Sequence, residues 1–330
     1  MNGWNEEYMK ILVVGGAGYV GSVLVPVIRK RGYEVDVVDL LWFGNHLPEE
    51  ILVMERDLFG LSESDLSGYD QIVFLAGLSN DPMAEYSPGD NFIQNAAAPA
   101  FLGYLARKAG VKRYIYASSC SVYGFTSNNL YDEDSPTTSA YPYGISKLQG
   151  EMAVMQLADK DFSVICLRKG TISGYSPRMR LDICVNTMFL SALEKKEITV
   201  DNPEIWRPIL SVQDAAAAYM RVIEADAKIS GIFNVASGNY QIGEIGNMVK
   251  TVIQEEMGLD VGLNIRYRND LRNYRVNCDR IRESFSFRAE QDIPAIVRDL
   301  IRNREAFSDI DNPNYYQIEV FRALKKNVAC

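Results

Sequence analysis

The sequence predicts an α/β fold: a doubly wound parallel sheet covered by helices on both faces, with a smaller, mostly helical C-terminal domain. Three observations carry that prediction. Apolar runs at 11–14, 34–38, 51–54, 72–76 and 113–117 alternate with helical stretches at 20–31 and 91–109, the pattern of a parallel sheet buried on both sides. The first run breaks into a glycine-rich turn that leads straight into the first helix. The second run ends in an acid, Asp39, 18 residues beyond the last glycine of that turn.

Residues 1–9 read as a polar extension, and 10–180 as the sheet domain. In Ile11-Leu-Val-Val-Gly-Gly-Ala-Gly-Tyr-Val-Gly-Ser22, Gly16, Gly18 and Gly21 satisfy G-x-G-x-x-G, and Gly15, Gly18 and Gly21 satisfy G-x-x-G-x-x-G. One glycine makes the tight turn, one lets backbone N–H groups approach a pyrophosphate, and one lets the helix pack close to its strand. The phosphates are expected over the Tyr19–Val20 backbone, at the positive end of the helix bearing Val23, Leu24, Val27 and Ile28. Asp39 at its offset accepts hydrogen bonds from ribose hydroxyls and repels a 2′-phosphate, which selects NAD over NADP. The turn and the acid together predict a Rossmann-type dinucleotide domain.

The stretch 91–110 opens on a capping asparagine and ends at a glycine, as a helix should. Tyr114-Ile-Tyr-Ala-Ser-Ser-Cys-Ser-Val-Tyr-Gly124 is a strand running out into hydroxyl residues. The carboxyl ends of strands face the ligand crevice in such sheets, so Ser118 and Ser119 are expected to point at bound cofactor. Pro142-Tyr-Gly-Ile-Ser-Lys147 opens the next helix, with Ile145, Leu148, Met152 and Met155 on one apolar face. Tyr143 and Lys147, four apart, share a different face. The run 162–168 is a further core strand, followed by a loosened segment through Arg178 and Arg180. Residues 181–330 read as mainly a substrate domain, with helices at 183–194, 242–255, 293–303 and from 316. A helix at 212–225 and a strand at 232–236 are expected to return to the sheet domain, within a segment near 211–236. Arginines thicken in this half (Arg178, Arg180, Arg207, Arg266, Arg268, Arg272, Arg275), the natural place for a second diphosphate on an acidic protein.

Composition narrows the function. The formal net charge of −9 argues against nucleic acid or an anionic membrane as the main partner. No apolar run approaches the roughly 20 residues that span a bilayer, and residues 1–10 lack a signal-peptide pattern, so a cytoplasmic protein is expected. The five cysteines, Cys120, Cys166, Cys184, Cys278 and Cys330, form no CxxC pair and fit reduced thiols. His46 is the only histidine, so no metal site is expected and acid–base chemistry falls to Tyr, Lys, Ser or carboxylates.

The glycine turn at 15–21, the segment 118–124 and Tyr143-x-x-x-Lys147, in that order, resemble an extended short-chain dehydrogenase/reductase. Within that superfamily the chain, from about residue 9 to the 280s, is similar to the NAD-dependent nucleotide-sugar epimerases and dehydratases. Val14 stands where the family often has Thr, a position whose backbone makes the phosphate contact. The resemblance implies Ser119, Tyr143 and Lys147 as catalytic residues. It implies that Asp57 and Leu58 meet the adenine, that Ala76, Gly77 and Leu78 line the cofactor, and that Asn95 holds a strand end beside it. Arg207 resembles the arginine that grips the sugar-nucleotide diphosphate, with Arg272 as a second grip and Thr171 and Asn186 touching phosphate or sugar. Tyr143 would take a sugar hydroxyl proton, its pKa brought down from about 10 by Lys147 and the positive nicotinamide. Ser119 would steady the developing carbonyl, and Lys147 would hold the nicotinamide ribose.

The implied reaction is epimerisation of a nucleotide-diphosphate sugar in carbohydrate biosynthesis. The family's dehydratases carry Thr-Asp-Glu where this chain has Ser119, Cys120 and Ser121, which disfavours dehydration and glutamate-dependent decarboxylation. Keto-sugar reduction and a non-catalytic NAD-sensing role are the alternatives. Family members commonly dimerise by pairing two helices into a four-helix bundle. Phe101, Tyr104, Met152 and Met155 on the corresponding helices imply a homodimer of that type.

Overall fold

The computed structural model describes residues 9–268 and 272–328. Residues 1–8 of the expected extension, Asp270 and Leu271 beside Arg272, and Cys330 lie outside these. Met9 belongs to the fold and not to an extension: it is buried, and its sulfur accepts from Gln71 Nε2 at 3.0 Å.

Seven parallel strands form the main sheet. Their order across it is Gly231–Val235, Ser163–Lys169, Arg113–Ser119, Gln71–Phe74, Lys10–Val14, Glu34–Asp39 and Leu52–Glu55. Successive strands move one way from Lys10–Val14 and then the other way, so the winding reverses beside that strand. The crevice outside the carboxyl ends at such a reversal is where ligands bind. Central strands such as Gln71–Phe74 are buried along their whole length, because helices cover both faces. One buried cluster, with Leu24, Ile28, Tyr219 and Ile223, covers one face, and another, with Leu102, Tyr114 and Val154, covers the other. A third cluster, with Val185, Phe189, Ile245, Val249 and Ile296, forms the C-terminal core.

The expected strand at 232–236 does join the sheet, as its edge. The strand-like Pro-Ile-Leu segment after Arg207 is part of Trp206–Ser211, which lies between Thr171–Ser173 and Gly238–Gln241; two further short pairs, not anticipated, lie at Phe125–Tyr131 with Asn273–Val276 and Glu197–Asp201 with Gly262–Arg266.

The stretch expected as one helix from 91 starts earlier and is irregular. Asp81–Tyr86 and Pro88–Phe92 lead into a π-turn, Ile93–Ala97, and then Ala98–Lys108. Pro99 has no N–H to offer the Asn95 carbonyl four residues back, and the Tyr116 hydroxyl donates to that carbonyl instead, at 2.8 Å. Helix Pro142–Met155 inverts the usual polarity. Its inward face carries Ser146, Lys147, Gly150 and Glu151, while Ile145 and Met152 are exposed. Among the described residues no helix is long and apolar enough to cross a membrane.

Candidate active site

The glycine turn lies at the sheet reversal. Gly15 has φ +80°, and a Cβ there would sit 2.4 Å from the Ala76 nitrogen. A Cβ on Gly21 would sit 2.1 Å from the Gly16 carbonyl oxygen. Packing therefore requires both. Gly18 differs, since a Cβ there meets only the Gly15 oxygen at 3.3 Å, and its open side faces the cleft. The helix Gly21–Lys30 that follows has no side-chain cap; its Ser22, Val23 and Leu24 amides donate back to the Gly18 and Val20 carbonyls, so an anion would meet the amides of Tyr19–Gly21 just ahead of them. Asp39 closes this end: Oδ2 accepts from the Ala17 amide at 3.0 Å and Oδ1 from the Leu41 amide at 2.9 Å. Burial holds its carboxyl above the usual range despite those bonds. These groups line a cleft of about 1040 Å³, large enough for a dinucleotide and a second ligand.

Strand register decides which side chains reach the cleft. Ser118 and Arg168 are cross-strand partners, as are Ser119 and Lys169. Neighbours along a strand face opposite ways. The first pair turns inward to Glu151: Arg168 Nη2 lies 2.6 Å from Oε1, and Ser118 Oγ donates to Oε2 at 2.7 Å. The second pair lines the cleft. Ser119 Oγ lies 2.6 Å from Ser121 Oγ and near enough to the Tyr143 phenol to influence its pKa. Lys147 Nζ donates to the Ala117 carbonyl at 2.9 Å and lies 5.0 Å from the centre of the Tyr116 ring.

The electrostatics differ from expectation. Burial raises the Tyr143 phenol above its ordinary value; the Ser119 hydroxyl opposes this without cancelling it, and of the nearby cations Arg180 lowers it most. Burial instead pushes Lys147 itself down to about 7. Lys169, whose Nζ donates to the Tyr219 hydroxyl at 2.9 Å, is pushed well below its ordinary value by burial and by the like charge of Lys147. The protein alone thus keeps Tyr143 protonated and holds two weakly basic lysines beside it.

Against known proteins, the model of the NAD dependent epimerase/dehydratase family matches residues 11–236. The chain belongs to this family. It is 27% identical to the UDP-glucose 4-epimerase of Corynebacterium glutamicum over 74% of this chain and 80% of that protein. It is 30% identical to the UDP-glucose 4-epimerase of Bacillus subtilis over 52% of this chain and 56% of that one. The chain spans about half the length of most of the curated relatives it matches. The fold is that of MoeE5, solved in complex with UDP-glucuronic acid and NAD, with a TM-score of 0.79, 24% identity, and coverage of 90% of this chain and 99% of MoeE5.

As a member of an NAD-dependent family, the chain can be compared with the site its motifs imply. Gly15, Gly18, Tyr19, Val20, Gly21, Asp39, Asp57, Leu58, Ala76, Gly77 and Leu78 all border the cleft, as do Ser119, Tyr143, Lys147, Thr171, Arg207 and Arg272. Asn95 stands behind the wall, its Nδ2 donating to the Leu78 carbonyl at 2.8 Å. Two assignments need correction. Ser118 is on the wall, but its hydroxyl donates inward to buried Glu151. Asn186 is wholly buried outside the cleft lining; its amide bonds Gly174, the Tyr19 hydroxyl and the Arg180 carbonyl, so it braces the wall. Arg207 donates to the Trp206 and Arg272 carbonyls, and Arg272 pairs with Asp81. Sequence reasoning missed Lys169, Asp81 and Gln317 as cleft residues. Lys169 had a usable signal: as the cross-strand partner of Ser119 it must share Ser119's face.

Proposed function

We propose that the protein is an NAD-dependent epimerase of a nucleotide-diphosphate sugar. The carrying observation is that Ser119, Tyr143 and Lys147 line one cleft that also contains the glycine turn, Arg207 and Arg272. Gly18 with its open side, the uncapped helix start and Asp39 fit a dinucleotide's diphosphate and ribose; Asp57 and Leu58 would border its adenine. Bound there, NAD would supply a reversible hydride acceptor for a carbon of the sugar, so that the reaction has no net redox change.

The chain's own residues do the proton work. Tyr143, a phenol in the free protein, would lose its proton as positive charge gathers in the cleft, and would then accept the proton of the sugar hydroxyl. Ser119 would donate to the same oxygen as it becomes a carbonyl. Lys147, titrating near neutrality, is suited to exchange protons with Tyr143 one helical turn away. Arg207 and Arg272 would grip the substrate diphosphate, and Thr171 would border it. Cys120 is wholly buried with its thiol on the Arg168 carbonyl, so no acid stands there for an elimination. The relatives named UDP-glucose 4-epimerase support a uridine nucleotide as the first to try. For assembly, we infer a homodimer: Phe101 and Tyr104 on Ala98–Lys108, and Ile145 and Met152 on Pro142–Met155, form an exposed apolar face suited to a four-helix bundle.

The test is turnover of a panel of UDP-, GDP-, CDP- and dTDP-sugars followed by NMR. The wild type should interconvert two epimers of one member, and Tyr143→Phe should cut that rate by roughly 10²–10⁴ while NAD binding holds. A variant with near wild-type rate removes Tyr143 from the mechanism; a net oxidised or reduced product replaces epimerisation with keto-sugar redox chemistry.

A further inference from the structure

Two arginines on one short segment are buried in the cleft wall with hydrogen-bonding capacity unused. Arg178 is 1% exposed, and its guanidinium carbon lies 3.7 Å from the centre of the Phe43 ring. Its Nη1 reaches only the Met179 carbonyl at 3.4 Å, and its Nε and Nη2 have no hydrogen-bond partner among the described residues. Arg180 is 6% exposed; Nε pairs with Asp182 at 2.8 Å and Nη1 donates to Ser79 Oγ at 3.1 Å, but its Nη2 has no partner among the described residues. A buried guanidinium with idle donors is costly, and a fold tolerates it where a ligand supplies the missing acceptors. Burial, and repulsion from Arg180, push Arg178 down to about 9, so the pair acts against itself until an anion arrives.

The segment's anchoring says which anion. Ser176 Oγ donates to the Tyr19 carbonyl at 2.7 Å, and Tyr19 Oη donates to the Gly174 carbonyl at 2.5 Å. Asn186 Nδ2 then holds the Arg180 carbonyl at 2.7 Å. The arginines are thereby fastened to the glycine turn itself. Both arginines lie within electrostatic reach of Tyr19; Arg178 is also within reach of Asp39, and Arg180 within reach of Tyr143. One guanidinium therefore stands toward the adenosine ribose site and the other toward the reacting end. A dinucleotide's diphosphate, resting on the turn, spans that interval and carries two negative charges for the two cations. Arg207 and Arg272 belong to other segments and remain for the substrate.

We propose that Arg178 and Arg180 clamp the diphosphate of bound NAD from the side facing the glycine turn. The idea takes dinucleotide binding in this cleft as given but does not depend on which sugar is turned over. Charge-assisted hydrogen bonds of this kind each shift affinity by about tenfold to a hundredfold.

The experiment is calorimetry on nucleotide-free wild type, Arg178→Met and Arg180→Met, with NAD, adenosine and UDP as separate ligands. NAD affinity should fall about tenfold to a hundredfold in each variant, with adenosine and UDP affinities unchanged. Arg178→Lys and Arg180→Lys should restore part of the loss. Thermal melts give a second readout. Arg178→Met, which removes a guanidinium with idle Nε and Nη2, should leave the nucleotide-free protein as stable as wild type or more so, whereas Arg180→Met also strands Asp182 and should lower its stability; in both, the stabilisation by NAD shrinks. Unchanged NAD affinity in the variants, or a wild type that does not bind NAD, overturns the clamp. A loss for UDP with NAD unaffected moves the arginines to the substrate. Equal losses for adenosine and NAD, or an Arg178→Met variant that melts earlier without ligand, make them structural. Should either methionine variant fail to fold, the lysine variants carry the same comparison. Failure of the epimerase reading shows in sugar turnover, which this experiment does not use.

Discussion

Lys147→Met should stabilise the nucleotide-free protein, and by an amount that depends on pH. Lys147 is 5% exposed, and burial takes its ammonium from the ordinary 10.5 down to about 7. The folded pKa lies below the unfolded one, so between those values the unfolded chain binds more protons, and stability rises with pH. The penalty is full below about pH 6 and amounts to about 5 kcal/mol; by pH 9.5 about 1.5 kcal/mol of it remains. Methionine keeps the length and apolar stem while deleting the charge. Against the gain stands the Ala117 carbonyl, which loses its donor at a cost of about 1–2 kcal/mol. The net expectation is about 3 kcal/mol more stable at pH 6 and close to no change at pH 9.5. The other titratable groups facing this ammonium do not confuse the window. Tyr116 and Tyr143 are both raised and stay neutral, and Lys169, freed from repulsion, shifts in the same direction. Urea titrations of both proteins at the two pH values, extrapolated linearly, give the comparison. Equal destabilisation at both pH values would refute the idea that Lys147 is held at a cost to the fold.

Three further outcomes are expected. If Asp39 meets the adenosine ribose as its position at the end of the second strand suggests, NAD should bind at least about tenfold tighter than NADP, about 1.4 kcal/mol; calorimetry showing no preference removes that role. Glu151→Leu strands the buried Arg168 charge and should cost about 3–5 kcal/mol in urea unfolding, against less than about 1 kcal/mol if the pair were a surface one. Wild type should sediment as a dimer at micromolar concentration and Tyr104→Glu/Met152→Glu as a monomer; a monomeric wild type excludes the four-helix bundle.

The parts of the site that were legible in the sequence are those fixed by local spacing. The glycine turn needs only its own backbone, and Tyr143 and Lys147 need only one helical turn, so both reach the cleft where the motifs put them. Assignments that depend on a partner strand or a distant segment were not legible. Ser118 and Ser119 look alike in sequence, and only register against Arg168 and Lys169 sends one inward and the other to the cleft. Asn186 looks like a ligand contact until its four partners are counted out on the wall. The π-turn at Ile93–Ala97 reflects Pro99, legible in the sequence, but the Tyr116 hydroxyl that takes up the freed Asn95 carbonyl comes from a strand distant in sequence. The small strands escaped notice because they are short and partly exposed, with no apolar run to mark them.

One electrostatic pattern links these residues. The chain carries a formal net charge of −9, yet its cleft collects Lys147, Lys169, Arg178 and Arg180, all buried at least in their charged ends. Burial lowers the pKa of Lys147, Lys169 and Arg178, so three of the four are poorly stabilised as cations before a ligand arrives. An anion entering the cleft supplies the missing counter-charge, and its binding free energy then appears as folding stability. Proton uptake must accompany such binding wherever a lysine near pH 7 regains its charge. NAD binding to the wild type should therefore take up protons at neutral pH, seen as a buffer-dependent calorimetric enthalpy, and Lys147→Met should reduce that uptake. A wild-type enthalpy independent of buffer would mean that the lysines keep their protonation state on binding, and that the cleft is not coupled to its ligand in this way.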